Sequence, residues 1–480
     1  MLFNSIEYII FLPIVFAVYW MIPDSKRWLL LWVVSYFFYM CWNPKYILLL
    51  LFTTGISYIC ARVMERQADK AGKKRTLILG LVCCLGVLFV YKYLNFSMEI
   101  VGDIFNLFSV KTNALPIDIL LPVGISFYTF QTVSYLADVY RGEVKAEHNF
   151  GVYAAFISFF PQLVAGPIER TGNLLKQIKG EHIFSYENAT YGLKRIAWGY
   201  FKKCVIADTV AIYVDIIYNN VGSYTGFSLL LATVLFAIQI YCDFSGYSDI
   251  ALGSAKLLGI NLTENFRCPY MSTSVKEFWS RWHISLSSWF RDYVYIPLGG
   301  NRVSKWKRDV NLLITFLASG LWHGAAYTYV VWGVWHGLYQ IIENHIPRRA
   351  KKQMNIQERL LKMLFIFGLI CFAWIFFRAS SLDDAIYVIV HMFDGIPHLF
   401  TYIRVGLNDV GINTWANLLQ LIGILGVLTL YDAISLKTDV FVWLGKQHWL
   451  VRWITYITLG LTTILLAQKG INTEFVYFQF

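Results

Sequence analysis

Asn311–Ile342, NLLITFLASGLWHGAAYTYVVWGVWHGLYQII, is a long apolar run with a histidine, His323, a dozen positions from its start. Read as one helix rising about 1.5 Å per residue, it puts that imidazole roughly 18 Å deep, near the middle of a bilayer about 30 Å thick. Ionisable side chains are costly at that depth and mark a functional site or a water-filled path. Gly320 and Gly324 bracket the histidine, which permits close approach of backbone or substrate.

Comparable runs recur almost end to end, near 6–22, 28–42, 45–61, 76–94, 116–137, 150–165, 226–242, 311–342, 360–377, 415–431 and 453–468. Each is about the length a bilayer requires. With 57% hydrophobic and 15% charged residues over 480 positions, a soluble globular protein is excluded. The expected fold class is an all-α polytopic membrane protein, one integral-membrane domain over residues 1–480. The first run lacks a basic flank and a small-residue cleavage site, so it reads as a span and not a removable signal peptide. Lys194, Arg195, Lys202 and Lys203 interrupt 190–215 and leave that segment ambiguous.

The formal charge of +11 is local. Lys26–Arg27 and the Arg62–Arg75 loop fall on the cytoplasmic side when the N-terminus is placed outside, as basic loops do. No nucleic-acid module accompanies these clusters, so nucleic acid is not expected as a partner. The eight cysteines show neither a CxxC pair nor metal-ligand spacing; reduced buried thiols are expected, and no metal site.

Most of the nine histidines lie in loops or beside loop charges. Three, His283, His323 and His336, do not. His336 follows His323 by thirteen positions, which on an unbroken helix is about 220° of rotation and roughly 20 Å of rise. Both could not then serve one substrate, so one is expected to be catalytic and the other structural. His283 lies in FWSRWHISLSSWFRDYVYIPLGGNR (Phe278–Arg302), where Trp279, Trp282, Trp289 and Phe290 interleave with Arg281 and Arg291. That pattern fits helices lying at a membrane interface or the wall of a site. Asp243 and Asp249 are placed at or beside a span end, where they either contact polar substrate groups or mark the helix boundary.

Four motifs in order, PQLVAGPIER (Pro161–Arg170), YCDFSGYSDIALG (Tyr241–Gly253), FWSRWHISLSSWFRDYVYIPLGG (Phe278–Gly300) and GLWHGAAYTYVVWGVWHG (Gly320–Gly337), resemble the membrane-bound O-acyltransferase (MBOAT) family. The likeness is strongest to its bacterial, alginate O-acetyltransferase-like branch. The resemblance implies a ring of about 11–13 transmembrane helices, with interfacial and re-entrant helices, around a thinned centre crossed by a tunnel. It implies His323 as the catalytic histidine and places His283 in the same site, so that His283 joins the expected catalytic set; Trp322 and Asp243 are expected as substrate contacts. The tail Phe475–Phe480, FVYFQF, within an extracytoplasmic segment 470–480, resembles the terminal motif of the small partner in the D-alanylation system of Gram-positive walls. By that likeness Tyr477 is an acyl relay.

The activity so implied is that of a bacterial cytoplasmic-membrane O-acetyltransferase. It takes acetyl from cytoplasmic acetyl-CoA, with no permanently bound cofactor, and passes it to an extracytoplasmic polysaccharide through a separate SGNH-type transferase. Two alternatives stand beside it. One is D-alanyl transfer to teichoic acids, disfavoured because the tyrosine tail is built into this chain. The other is a non-catalytic transporter or scaffold, disfavoured because no internal repeat is evident.

Overall fold

In lipid every backbone polar group must find its partner within its own segment, a condition that helices meet. The computed structural model describes residues 1–108, 117, 120–347, 354–467 and 475, and among them are helices and loops with no strand. Among the described residues, six helices are long and apolar enough to cross a bilayer: Pro44–Arg66, Lys70–Leu107, Phe227–Leu257, Ile356–Arg378, Trp415–Ser435 and Trp449–Leu466. The pair Leu382–His391 and Ile396–Asp409, bent by 53°, would make a seventh. The chain is a polytopic all-α membrane protein.

That is fewer spans than apolar runs, for local reasons. The run at 6–22 yields a helix of 16 residues, Ile6–Met21, and the run at 28–42 one of 17, Asp24–Met40. The first is just under, and the second at the lower edge of, the roughly 17–25 residues that cross a bilayer. The run at 150–165 breaks at Phe159, whose φ of −48° and ψ of 108° leave the helical region just before Pro161. Within 116–137 the helix begins only at Ile125. Gly124 precedes it at φ 76°, and a side chain there would meet the Leu163 carbonyl at 2.6 Å.

The chain divides into two compact units, residues 1–196 with 250–263, and residues 197–249 with 264–480. The first unit is held by buried aromatic side chains, Tyr8, Tyr135, Tyr153 and Phe156 among them, and two of the tyrosine hydroxyls pair with serines. The Tyr8 hydroxyl lies 2.8 Å from Ser254 Oγ, and that of Tyr153 lies 2.7 Å from Ser57 Oγ. In PQLVAGPIER, Glu169 accepts from the Thr263 N–H and, at 2.7 Å, from Asn173 Nδ2, which pins the loop after the long helix. That motif thus has a packing role in the fold.

The second unit contains the π-helical turn Phe201–Ala207, the body of Phe227–Leu257, the short helices Val275–Arg281 and Ile284–Phe290, and the elements beyond them. Its helix Trp449–Leu466 buries no residue and turns Ile454, Ile457, Leu461 and Ile464 outward. An apolar face of that kind is stable against acyl chains and not against water. All eight cysteines are free thiols.

Candidate active site

The deciding run 311–342 is a hairpin, not one helix. Lys305–His323 ends at His323; Gly324 takes an extended backbone (φ −160°, ψ 148°), and the chain re-enters a helix at Tyr327–His345. His323 is therefore the last residue of a helix, and counting its depth along a single span does not apply. Small residues make the reversal possible. A side chain at Gly320 would collide with the Tyr329 carbonyl, and one at Gly324 with the Tyr329 ring. A side chain at Gly333 would meet the Phe316 carbonyl at 2.5 Å. The space these glycines leave is filled by the returning helix, not by substrate. Gly320→Ala is expected to lower stability by about 1–3 kcal/mol, read as the thermal midpoint in detergent. Gly423→Ala, with nothing within 4 Å of the added carbon, should leave the midpoint nearly unmoved.

The reversal also changes the relation of the two histidines. His323 and His336 both pack on Trp332, with ring centroids 5.0 and 4.7 Å away, a proximity that an unbroken helix excluded. His336 is fully buried, and its Nδ1 accepts from Trp279 Nε1 at 3.3 Å, which ties the hairpin to the helix Val275–Arg281. His323 is buried among Trp322, Trp332 and Phe377, at 5.0, 5.0 and 5.3 Å.

Trp322 is the common neighbour of His283 and His323. Its ring lies 5.0 Å from His323 and 5.9 Å from His283. Residues forty apart in sequence thus line one aromatic cluster. The stretch around His283 is an interior wall and not an interfacial helix: Phe278, Trp279, Trp282, Trp289 and Phe290 are all buried, with Phe278 stacked on Trp282 at 5.5 Å. Arg281 pairs with Glu277 at 2.6 Å, and Arg291 with Asp292 at 2.7 Å. His283 lies outside the candidate spans; burial pushes its imidazole down to about 3, so it is neutral at physiological pH. Its Nδ1 sits 3.0 Å from Asn265 Oδ1.

Asp243 and Asp249 lie inside the helix Phe227–Leu257, not at its end. Each carboxylate has a lysine: Asp243 with Lys203 at 2.7 Å, and Asp249 with Lys202 at 2.5 Å. Lys203 also reaches Asp208 at 2.9 Å, and Lys202 donates to Ser245 Oγ at 2.8 Å. Adjacent residues on an α-helix point about 100° apart, yet both lysines are buried. The π-helical turn Phe201–Ala207 supplies the wider turn that admits them. Gly246 is the seat of this contact, since a side chain there would meet the Gly199 carbonyl at 2.9 Å and the Lys203 nitrogen at 3.1 Å. The spacing Asp243, Gly246, Asp249 is thus the imprint of a buried ion-pair layer, in which Asp243 holds Lys203.

Tyr477 lies outside the described residues. Phe475, two positions earlier, is described and buried. Its ring packs on Tyr247 at 4.8 Å and Phe244 at 5.8 Å, and Phe244 in turn lies edge-on to His283 at 4.6 Å. Lys202, Lys203 and Asn265 escaped sequence reasoning. The lysines announced themselves only as interruptions of an apolar run, and a lone asparagine in a loop carries no signal.

The family model described as MBOAT, membrane-bound O-acyltransferase family, matches residues 141–382. Among curated relatives, the probable alginate O-acetylase AlgI of Pseudomonas aeruginosa is 40% identical over 387 residues, covering 80% of this chain and 73% of the relative. The peptidoglycan O-acetyltransferase of Helicobacter pylori is 34% identical over 426 residues, covering 82% of this chain and 80% of that one. The teichoic acid D-alanyltransferase of Bacillus subtilis is 28% identical over 278 residues, or 55% and 70% of the two chains.

Proposed function

Because the chain belongs to the membrane-bound O-acyltransferase family, we propose that it moves acetyl groups from cytoplasmic acetyl-CoA across the membrane for O-acetylation of an extracytoplasmic polysaccharide. The protein is an O-acyltransferase, embedded by several helices in the bacterial cytoplasmic membrane. Acetylation of a glycan is supported by the relatives named as alginate and peptidoglycan O-acetyltransferases.

In this reading His323 is the general base. It takes the proton of an attacking hydroxyl, the oxygen bonds to the thioester carbonyl carbon, the carbon–sulfur bond breaks, and sulfur leaves with a proton as the free thiol of CoA. The first hydroxyl is the phenol of Tyr477. A phenol of pKa about 10 is ionised to roughly one part in a thousand at pH 7, so it needs a neutral imidazole beside it. The acetyl-tyrosine then hands its group to an SGNH-type partner transferase, and CoA stays in the cytoplasm. Covalent relay divides one hard transfer into two easier ones. Trp322 and His283 line the acyl position. Asp243 acts through its fixed ion pair with Lys203.

One observation supports the relay: Phe244 touches both the His283 ring and Phe475, so Phe475, two positions before Tyr477 in sequence, lies one ring away from His283. The test is mass spectrometry of the purified protein after incubation with isotopically labelled acetyl-CoA. One label on Tyr477 is expected in the wild type and none in Tyr477→Phe or His323→Ala. CoA release without label on Tyr477 overturns the relay. No reaction with acetyl-CoA, but labelling from a D-alanyl carrier, overturns the acetyl donor.

A further inference from the structure

His283 sits at φ 41° and ψ 56°. Among the described residues the only other non-glycine position with positive φ is Cys268, at φ 46°. Left-handed backbone costs such residues about 1–2 kcal/mol and persists where the surroundings over-determine it. Here two short segments hold each other. The Arg267 N–H donates to the Arg281 carbonyl at 2.9 Å, and the Ile284 N–H donates to the Asn265 carbonyl at 3.0 Å. The strained backbone between them turns the His283 ring onto the Asn265 side chain.

The atoms at that contact define each other. Asn265 Oδ1 lies 3.2 Å from the Ser285 backbone nitrogen, 2.9 Å from Ser285 Oγ and 3.0 Å from His283 Nδ1. A backbone N–H can only donate, so the amide atom it faces is the oxygen and not the nitrogen. An amide oxygen can only accept, so His283 Nδ1 must carry the ring proton, which leaves Nε2 with the lone pair. Asn265 and His283 are both buried, where water does not compete for the bond and its loss is costly.

We infer that Asn265 is the positioning residue that locks His283 as the Nδ1-protonated tautomer, making Nε2 the proton-accepting atom it offers to the acyl-transfer site. This rests on the reading in which His283 lines that site. Asn265 itself need touch no substrate; it acts through the imidazole.

The test compares wild type, Asn265→Ala, Asn265→Asp, His283→Ala and the double variant Asn265→Ala with His283→Ala. Each is purified whole, checked for its thermal midpoint, and assayed for CoA thiol release from acetyl-CoA. Asn265→Ala should lower kcat by about tenfold or more with little change in KM. Asn265→Asp, whose carboxylate also accepts from Nδ1–H, should recover most of that loss. The double variant should be no slower than His283→Ala, because both changes remove one function. If the alanine variant does not fold, Asn265→Leu, which keeps the side-chain volume, takes its place. Losses that multiply in the double variant, or an aspartate variant as slow as the alanine one, overturn the assignment. A wild-type rate in Asn265→Ala with His283→Ala impaired removes only the role of Asn265. A wild-type rate in His283→Ala removes instead the role given to His283 under the proposed function.

Discussion

His323→Ala is expected to slow acyl transfer by about 10²–10⁴-fold, the worth of a positioned general base, with little effect on whether the protein folds. The rate falls because no other imidazole can replace it: His336 has its Nδ1 committed to Trp279, and the His283 ring stands off across Trp322. The fold survives because His323 is the last residue of its helix, and the hairpin is set by the glycines behind it and not by the imidazole. The measurement is single-turnover acetyl transfer from acetyl-CoA alongside the thermal midpoint. A variant that keeps its midpoint and loses its rate supports the assignment. One that transfers at the wild-type rate removes His323 from the chemistry, whatever the resemblance implies.

Lys203→Met should be the most destabilising single change in the second unit, by about 3–5 kcal/mol. Burial by itself opposes charge on Lys203, but Asp243 and Asp208 outweigh it and hold the ammonium above the usual lysine range. Removing the lysine takes one shared ammonium away from two buried carboxylates, and breaking a buried pair from one side is costly. Lys203→Met combined with Asp243→Asn should recover part of the loss, since one of the two buried negative charges goes with it. Thermal midpoints in detergent, together with the yield of folded protein, measure both. A single variant as stable as wild type would mean that the ion-pair layer contributes nothing to the fold.

The membrane class was legible because lipid imposes a gross compositional demand, and runs such as Ile47–Arg66 or Trp415–Ser435 satisfy it on their own. The hairpin at 324–326 was not. Its break depends on whether Gly320 and Gly333 are pressed by another backbone, and apolar spacing is silent on that. The two site histidines were legible as residue types, and their common neighbour Trp322 stands next to one of them. Their meeting depends on a fold-back that periodicity does not encode. The acidic pair in YCDFSGYSDI was seen but misplaced at a helix end, because its lysines lie some forty positions earlier in a segment whose π-helical turn has no sequence signature. Asn265 stayed hidden for a similar reason: its meaning comes from the ring it faces.

The seat of Phe475 on Phe244 and Tyr247 bears on stoichiometry. Were Tyr477 the carrier, as proposed, the acceptor for the first step would belong to the same chain, and no second protein would have to be met for it. Such an arrangement saturates after a single event. Each polypeptide can load one acetyl group and must then wait until it is emptied from the far side. The first transfer would appear as a burst of one equivalent per chain, and the steady rate would belong to whatever takes the group away.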